Sequence, residues 1–169
     1  NLFAIENGKI ITGENGLELL ELTSKGCSSL NVDFPGALRI LAVAASSGKV
    51  ATVESVTGFA SNPERLVVYS TESSSTPFRH ALSDVESSET YFCSATKLLF
   101  FNSGILLFDK ECEKLGVFDR EGYFINSIQL QDFKIRVAID MAVFDNEVYF
   151  LTKNSFDFGY KLEISDLLR

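Results

Sequence analysis

Short apolar runs alternate with polar turns along the whole chain. Residues 38–44 are apolar, Ser46-Ser47-Gly48 follows as a turn, and residues 49–53 return. Runs of this length that are bounded by turn residues predict β-strands rather than helices. The same order recurs around Asn7-Gly8, Ala95-Thr96 and Asp145-Asn146, each of which is predicted to be the turn of a hairpin. Asn-Gly in particular readily adopts the positive φ angles of a type I′ turn.

These predicted turns lie roughly 40 to 50 residues apart, a spacing typical of repeat proteins built from small sheets. The spacing divides one all-β domain, residues 1–169, into four units, 1–36, 37–83, 84–133 and 134–169. Residues 17–22 suit either a strand or a helix, but the flanking glycines favour a strand. Residues 91–93 are another predicted strand, and residues 78–82 are predicted to be the outer strand of the second unit.

The sequence therefore predicts an all-β, β-propeller-like chain of about four blades, with a β-sandwich as the alternative. A closed ring needs at least four blades and the fourth unit is short of strands, so we expect part of a larger or split propeller. Its start at Asn1, without a methionine, suggests a fragment or a processed chain. Six apolar side chains are expected to be buried between the sheets: Phe100, Leu106, Phe108, Val117, Val143 and Phe150.

Residues 114–128 and 65–72 resemble the blade hairpins of WD40- and NHL-type propellers. In both segments an apolar strand ends in an aromatic residue and Asp or Ser, and a polar turn follows. The resemblance implies a divergent repeat protein that binds other proteins. The Gly-His and Trp-Asp pairs of a standard WD40 repeat are absent, so no functional residue is transferred from that family.

Composition argues against a nucleic-acid surface. The net charge of the 169 residues is -8, and the densest basic group is Lys134 with Arg136. Such an acidic chain repels phosphate backbones. No apolar run reaches the length of a membrane span. The three cysteines, Cys27, Cys93 and Cys112, lack metal-ligand spacing, and this favours free, mostly buried thiols and an intracellular location in cytoplasm or nucleus.

Candidate catalytic residues are isolated in the sequence. His80 is the single histidine; a Ser-His-Asp triad would need Asp84 or another acid, but no G-x-S-x-G motif is present, so we expect a surface histidine. Asp157-Phe158-Gly159 matches the kinase triplet without the other kinase motifs. Ser83 with Glu86 is a weak pattern for acid-directed phosphorylation.

Acidic residues form a second set of candidates. Asp109, Asp119, Asp140 and Asp145 are expected at the ends of strands, where carboxylates could surround a metal ion in a channel, although turn formation explains them more simply. Cys112 lies between Glu111 and Glu113, and this negative charge makes it a poor nucleophile. We expect no catalytic, cofactor-binding or metal-binding residues.

The sequence thus favours a non-catalytic protein-interaction scaffold within a multi-protein complex, with protein partners that complete the propeller. One alternative is a binding subunit of a nucleic-acid-modifying complex that itself makes no direct contact with nucleic acid. Another is an enzyme with a carboxylate site in the propeller channel. All three rest on fold-level analogy.

Overall fold

The computed structural model describes residues 2–6, 9–13, 17–23 and 26–30 as backbone. It describes residues 39–55, 64–71, 77–82, 89–153, 160–163 and 167 together with their side chains. Within this part of the chain, no helix has the length and apolar character that crossing a membrane requires.

The described residues form fifteen strands in four antiparallel sheets, and each sheet contains consecutive strands in chain order. Sheet I contains β1 (Leu2–Glu6), β2 (Lys9–Gly13), β3 (Leu17–Thr23) and β4 (Gly26–Leu30). Sheet II contains β5 (Arg39–Ser46), β6 (Lys49–Ser55), β7 (Glu64–Ser70) and β8 (Phe78–Ala81). Sheet III contains β9 (Ala95–Phe101), β10 (Gly104–Asp109), β11 (Lys114–Asp119) and β12 (Phe124–Gln129), followed by a 3-10 turn at Leu130–Phe133. Sheet IV contains β13 (Ala138–Phe144), β14 (Glu147–Thr152) and β15 (Tyr160–Glu163).

The first strands of the four sheets lie side by side in the order β1, β5, β9 and β13. This arrangement places them as the inner strands around a common axis, as in a propeller. Among the described residues, β5 packs on both β1 and β9, but β13 does not pack in this way on β1. The four sheets therefore form an open arc, and the sandwich alternative is wrong because each sheet contains only sequential strands.

Turn chemistry explains two of the inner hairpins. Ser47 and Gly48 have φ values of 49° and 75°, and Asp145 and Asn146 have φ values of 45° and 66°. Two successive positive φ angles are the mark of a type I′ turn, whose twist matches that of the paired strands. Both turns were predicted from the sequence, and both are confirmed.

The predicted turn at Ala95-Thr96 is wrong. These residues begin β9, and the hairpin of sheet III turns instead at Asn102-Ser103, between the paired residues Phe101 and Gly104. Asn7-Gly8 lies outside the described residues. The predicted outer strand at 78–82 is confirmed as β8, and residues 17–22 form a strand, as favoured.

Sheet III is buried on both faces because its side chains alternate between two cores. Ile105 and Leu107 pack towards sheet II, together with Leu66 and Val68. Leu106 and Phe108 point the other way and pack with Val148 and Phe150 of sheet IV. All six residues of β10 are buried. The run at 105–108 is continuously apolar because this strand is enclosed between two other sheets.

Four of the six predicted core residues are buried, namely Leu106, Phe108, Val117 and Phe150. Phe100 and Val143 are only partly buried. Both lie next to the turns that end β9 and β13, where the side chains reach the rim of the arc rather than the space between sheets.

Candidate binding surfaces

A cleft of about 450 Å³ lies at the end of the arc where three inner hairpins turn. Its lining comes from the β5–β6 turn at Ser46 and Ser47, the β9–β10 turn at Asn102, and the β13–β14 turn at Asp145 and Asn146. We name this depression the turn-end cleft. It is defined by these residues together with Phe100, Phe101, Arg120, Val143 and Phe144.

Arg120 reaches this cleft from the turn between β11 and β12. Its guanidinium carbon lies 5.5 Å from the centre of the Phe100 ring, a cation–π distance that orients the planar group. One terminal nitrogen donates to the Asn102 carbonyl at 3.4 Å and the other to the Ser46 carbonyl at 3.3 Å. Both distances are long for hydrogen bonds, so these contacts position the side chain but leave its donors available.

A second groove, of about 540 Å³, lies between the inner strands β5 and β9. Its walls are mostly small or apolar, including Ala42, Ala44 and Leu98, and Lys97 lies along it. Lys97 is ion-paired with Asp140 of β13. Burial alone would raise the pKa of Asp140, but the Lys97 contact and the backbone N–H of Met141 together lower it. The groove therefore carries little free charge of its own.

The outward face of sheet IV is exposed and partly apolar. We define it as the open face, formed by alternate residues of β13 and β14: Asp140, Ala142, Phe144, Glu147, Tyr149 and Leu151. Phe144 is 66% exposed and Leu151 is 49% exposed. Lys161 of β15 adds an ion pair to Glu147 at 2.7 Å on the same face. The opposite face of sheet IV packs against sheet III. Among the described residues, no sheet packs on the open face in the same way.

Two buried carboxylates organise the interior and neither is a free catalytic group. Glu54 in sheet II is fully buried and accepts hydrogen bonds from Thr52 and Tyr69, and from Arg65 at 3.0 and 3.2 Å. Burial, followed by the Glu54 contact, raises the pKa of Tyr69. This cluster could not be predicted from the sequence because its members are spread over two strands and share no motif.

Asp109 is the second buried carboxylate and lies at the end of β10. One of its oxygens accepts from the backbone N–H groups of Cys93 and Ser94, and the other from those of Glu111 and Cys112. The predicted strand at 91–93 is wrong: Tyr91 makes a single bridge, and the N–H groups of residues 93 and 94 donate to this carboxylate instead of to a neighbouring strand.

The expectation of free thiols is wrong for two of the three cysteines. Cys93 and Cys112 form a disulfide, although they are 19 residues apart and share no motif. The Asp109 carboxylate lies within 4.8 Å of both sulfurs. The sulfurs are bonded to each other and the carboxylate oxygens already accept four N–H groups, so these atoms have little capacity left for a metal ion.

The other strand-end acids do not converge on one site. Asp119 accepts from the N–H groups of Glu121 and Tyr123 at 2.9 Å, as a turn-forming aspartate does. Asp140 pairs with Lys97, and Asp145 lies in the turn-end cleft. Asp84, Asp157-Phe158-Gly159, Ser83 and Glu86 lie outside the described residues. Turn formation and ion pairing account for all four of these strand-end aspartates, since Asp145 lies in a type I′ turn.

His80 is not the surface histidine that the sequence suggested. It is half-buried on β8, and its buried Nε2 atom has no hydrogen-bond partner among the described residues. Its ring packs edge-on to Phe118 at 5.6 Å and is stacked with Phe124 at 6.3 Å. Burial in this aromatic setting lowers the pKa of His80.

The stability of the fold should therefore depend on pH through His80. The folded state disfavours the charged ring, whereas the unfolded chain takes up a proton near pH 6.5. Stability should fall as pH drops below about 6.5, until the pH passes the lower pKa of the folded state. Urea unfolding of the wild type and of His80→Phe at pH 7.5, 6.5 and 5.5 measures this. A free-energy difference between the two proteins that stays constant across these pH values would contradict the prediction.

No protein-family model and no curated protein sequence matches the chain. Solved structures do match. Apo AztD from Citrobacter koseri superposes with a TM-score of 0.66 at 13% identity, over 98% of this chain and 44% of that one. The computationally designed Ika8 protein gives a TM-score of 0.57 at 13% identity, over 89% of this chain and 42% of that one. A protein of unknown function from Bacteroides caccae gives a TM-score of 0.51 at 13% identity, over 98% of this chain and 61% of that one.

AztD has a propeller-type fold. The chain has a propeller-type fold. The likeness at 13% identity concerns the fold alone, and does not distinguish a WD40 or NHL relationship. The chain spans less than half the length of AztD and of the designed protein.

Proposed function

We propose that the chain is a non-catalytic interaction scaffold whose open face packs against a further propeller blade. The observation that supports this proposal is the exposure of Phe144, Tyr149 and Leu151 on a sheet whose other face is buried. A contiguous apolar patch on a sheet marks an interaction surface. The two interfaces within the arc, II–III and III–IV, are built by such faces meeting each other.

A further blade is the occupant that best suits this surface. The inner strands lie in the order β1, β5, β9 and β13, so a further blade would follow sheet IV. It would pack on the open face as sheet IV packs on sheet III. The lengths of AztD and of the designed protein, more than twice that of this chain, are consistent with additional blades in a propeller of this kind. Those blades would come from a second copy, a partner chain or a continuation of this one.

The two rival functions have less support. The net charge of -8 disfavours contact with nucleic acid, and three of the described lysines are also paired with acids, namely Lys49 with Glu121, Lys97 with Asp140 and Lys161 with Glu147. The channel enzyme needs converging acids, and the described strand-end aspartates are separated by turns and ion pairs. An intracellular location stays part of the proposal, although a disulfide is uncommon in reducing compartments.

Leu151→Asp should abolish assembly through the open face, because it places a charge in an interface that would otherwise be dry. Sedimentation velocity of the purified chain is expected to show self-association, or association with blades supplied by a partner, that the variant loses by at least tenfold in affinity. Ile125→Asp is the matched control, since Ile125 is 44% exposed on β12, away from the open face.

A wild-type chain that sediments as a monomer and binds no apolar dye would contradict the proposal. Equal effects of the two substitutions would also contradict it, because they would assign the change to general surface charge. Circular dichroism of both variants establishes that the sheets remain folded.

A further inference from the structure

The turn-end cleft contains two opposite charges that do not neutralise each other. Arg120 and Asp145 both line it, and among the described residues neither forms an ion pair with the other or with a third charged group. Arg120 is held at the cleft by a ring and two backbone carbonyls rather than by a carboxylate, so its positive charge is available to a ligand.

The surroundings of Arg120 favour recognition of a carboxylate. The guanidinium carbon lies over the Phe100 ring and the two terminal nitrogens donate to the Asn102 and Ser46 carbonyls, so three contacts hold the group in place. A guanidinium held in this way can donate two parallel hydrogen bonds to a carboxylate. The side chains of Asn102 and Asn146 lie on the same rim and can add further donors.

Asp145 determines what else the ligand must carry. A simple anion that approached Arg120 would also meet this carboxylate, and a simple cation that approached Asp145 would meet the guanidinium. A molecule with both charges satisfies both groups at once, because an ammonium donates charge-assisted hydrogen bonds to a carboxylate. The type I′ turn fixes the backbone at Asp145, where φ is 45°.

The apolar part of the cleft completes the description of the ligand. Phe144, which is 66% exposed, stands beside Asp145, and Val143 and Phe100 are only partly buried. An apolar group laid over Phe144 would cover surface that is otherwise in water. The volume of about 450 Å³ lies within the range of small-molecule sites.

We propose that the turn-end cleft binds a small zwitterion with an apolar side chain, of the class of free α-amino acids. Its carboxylate faces Arg120, its ammonium faces Asp145 and its side chain covers Phe144. The site shares Phe144 with the open face, whereas Arg120 and Asp145 lie outside that face, so the two charge contacts do not depend on the packing of another blade.

The test uses L-phenylalanine and L-leucine as probes, titrated into the full chain by calorimetry. N-acetyl-L-phenylalanine lacks the ammonium, and L-phenylalanine methyl ester lacks the carboxylate. Both derivatives are expected to bind at least tenfold more weakly than L-phenylalanine. Arg120→Gln and Asp145→Asn should each weaken binding of L-phenylalanine at least tenfold.

Each variant is also tested with the derivative that lacks the matching charge, so that the two charge contacts are examined one at a time. Arg120→Gln should leave the already weak binding of the methyl ester unchanged, and Asp145→Asn should leave that of the N-acetyl derivative unchanged. The controls are Arg136→Gln and Asp132→Asn, which change exposed residues that do not line the cleft and should leave binding as in the wild type.

Three results would overturn the proposal: no binding of either amino acid up to about 10 mM, above the millimolar limit of weak specific sites; equal binding of L-phenylalanine and its N-acetyl derivative; or equal losses in the cleft variants and the controls. Thermal melts of all four variants distinguish a lost contact from a lost fold.

Discussion

Phe108→Ala should destabilise the chain by ~3–5 kcal/mol, the range for a buried aromatic replaced by alanine. Phe108 is 1% exposed near the end of β10, and its ring lies edge-on to Phe150 of sheet IV at 6.1 Å. The substitution therefore removes contacts within sheet III and across the interface with sheet IV. The free energy of unfolding from urea titration measures the loss.

Phe144→Ala is the matched control, because the same side chain is removed from a strand where it is 66% exposed. Its effect should stay within about 0.5 kcal/mol, as for most surface substitutions. A loss below about 1 kcal/mol for Phe108→Ala would show that the interface between sheets III and IV does not form as described.

Asp109→Asn should cost on the order of 3 kcal/mol, from the loss of acceptors for buried N–H groups. The fully buried carboxylate accepts four backbone N–H groups from two segments, at residues 93–94 and 111–112. An asparagine of the same shape has only one acceptor oxygen, so its NH₂ group would face two of these donors. Thermal and urea unfolding under oxidising conditions, with the disulfide intact, measure the effect of the carboxylate itself.

Asp119→Asn provides the comparison. Asp119 also follows a strand and accepts two backbone N–H groups, but it lies in a partly exposed turn where water can replace the lost acceptor. Its substitution should cost less than about 1 kcal/mol. Equal effects of the two substitutions would mean that Asp109 has no greater structural role than an ordinary turn residue.

The strands and the repeat could be predicted because their causes are local. Alternation of apolar runs with turn residues specifies strands, and Ser47-Gly48 and Asp145-Asn146 have the residue types that type I′ turns require. The prediction failed at Ala95-Thr96, where no residue type demands a turn. Nearby, the backbone of residues 93 and 94 is held by an aspartate that is distant in sequence. Such a contact leaves no periodic signal.

The candidate sites could not be predicted for a similar reason. The turn-end cleft brings together side chains from three sheets, and the ring of Phe100 beneath Arg120 belongs to a strand 20 residues earlier in the chain. The disulfide joins Cys93, which precedes β9, to Cys112 in the turn between β10 and β11. The residue types are visible in the sequence, but the cleft arises from the packing of one sheet on another, and the disulfide from strand pairing within sheet III.

Each sheet is made of consecutive strands and packs on the sheets next to it in the chain. A molecule with this connectivity can gain or lose a whole unit at either end without rethreading any strand. Duplication of one such segment would extend the arc by a blade and transfer the exposed surface to the new terminal unit. The same connectivity thus allows blade number to change in evolution while the existing interfaces are kept.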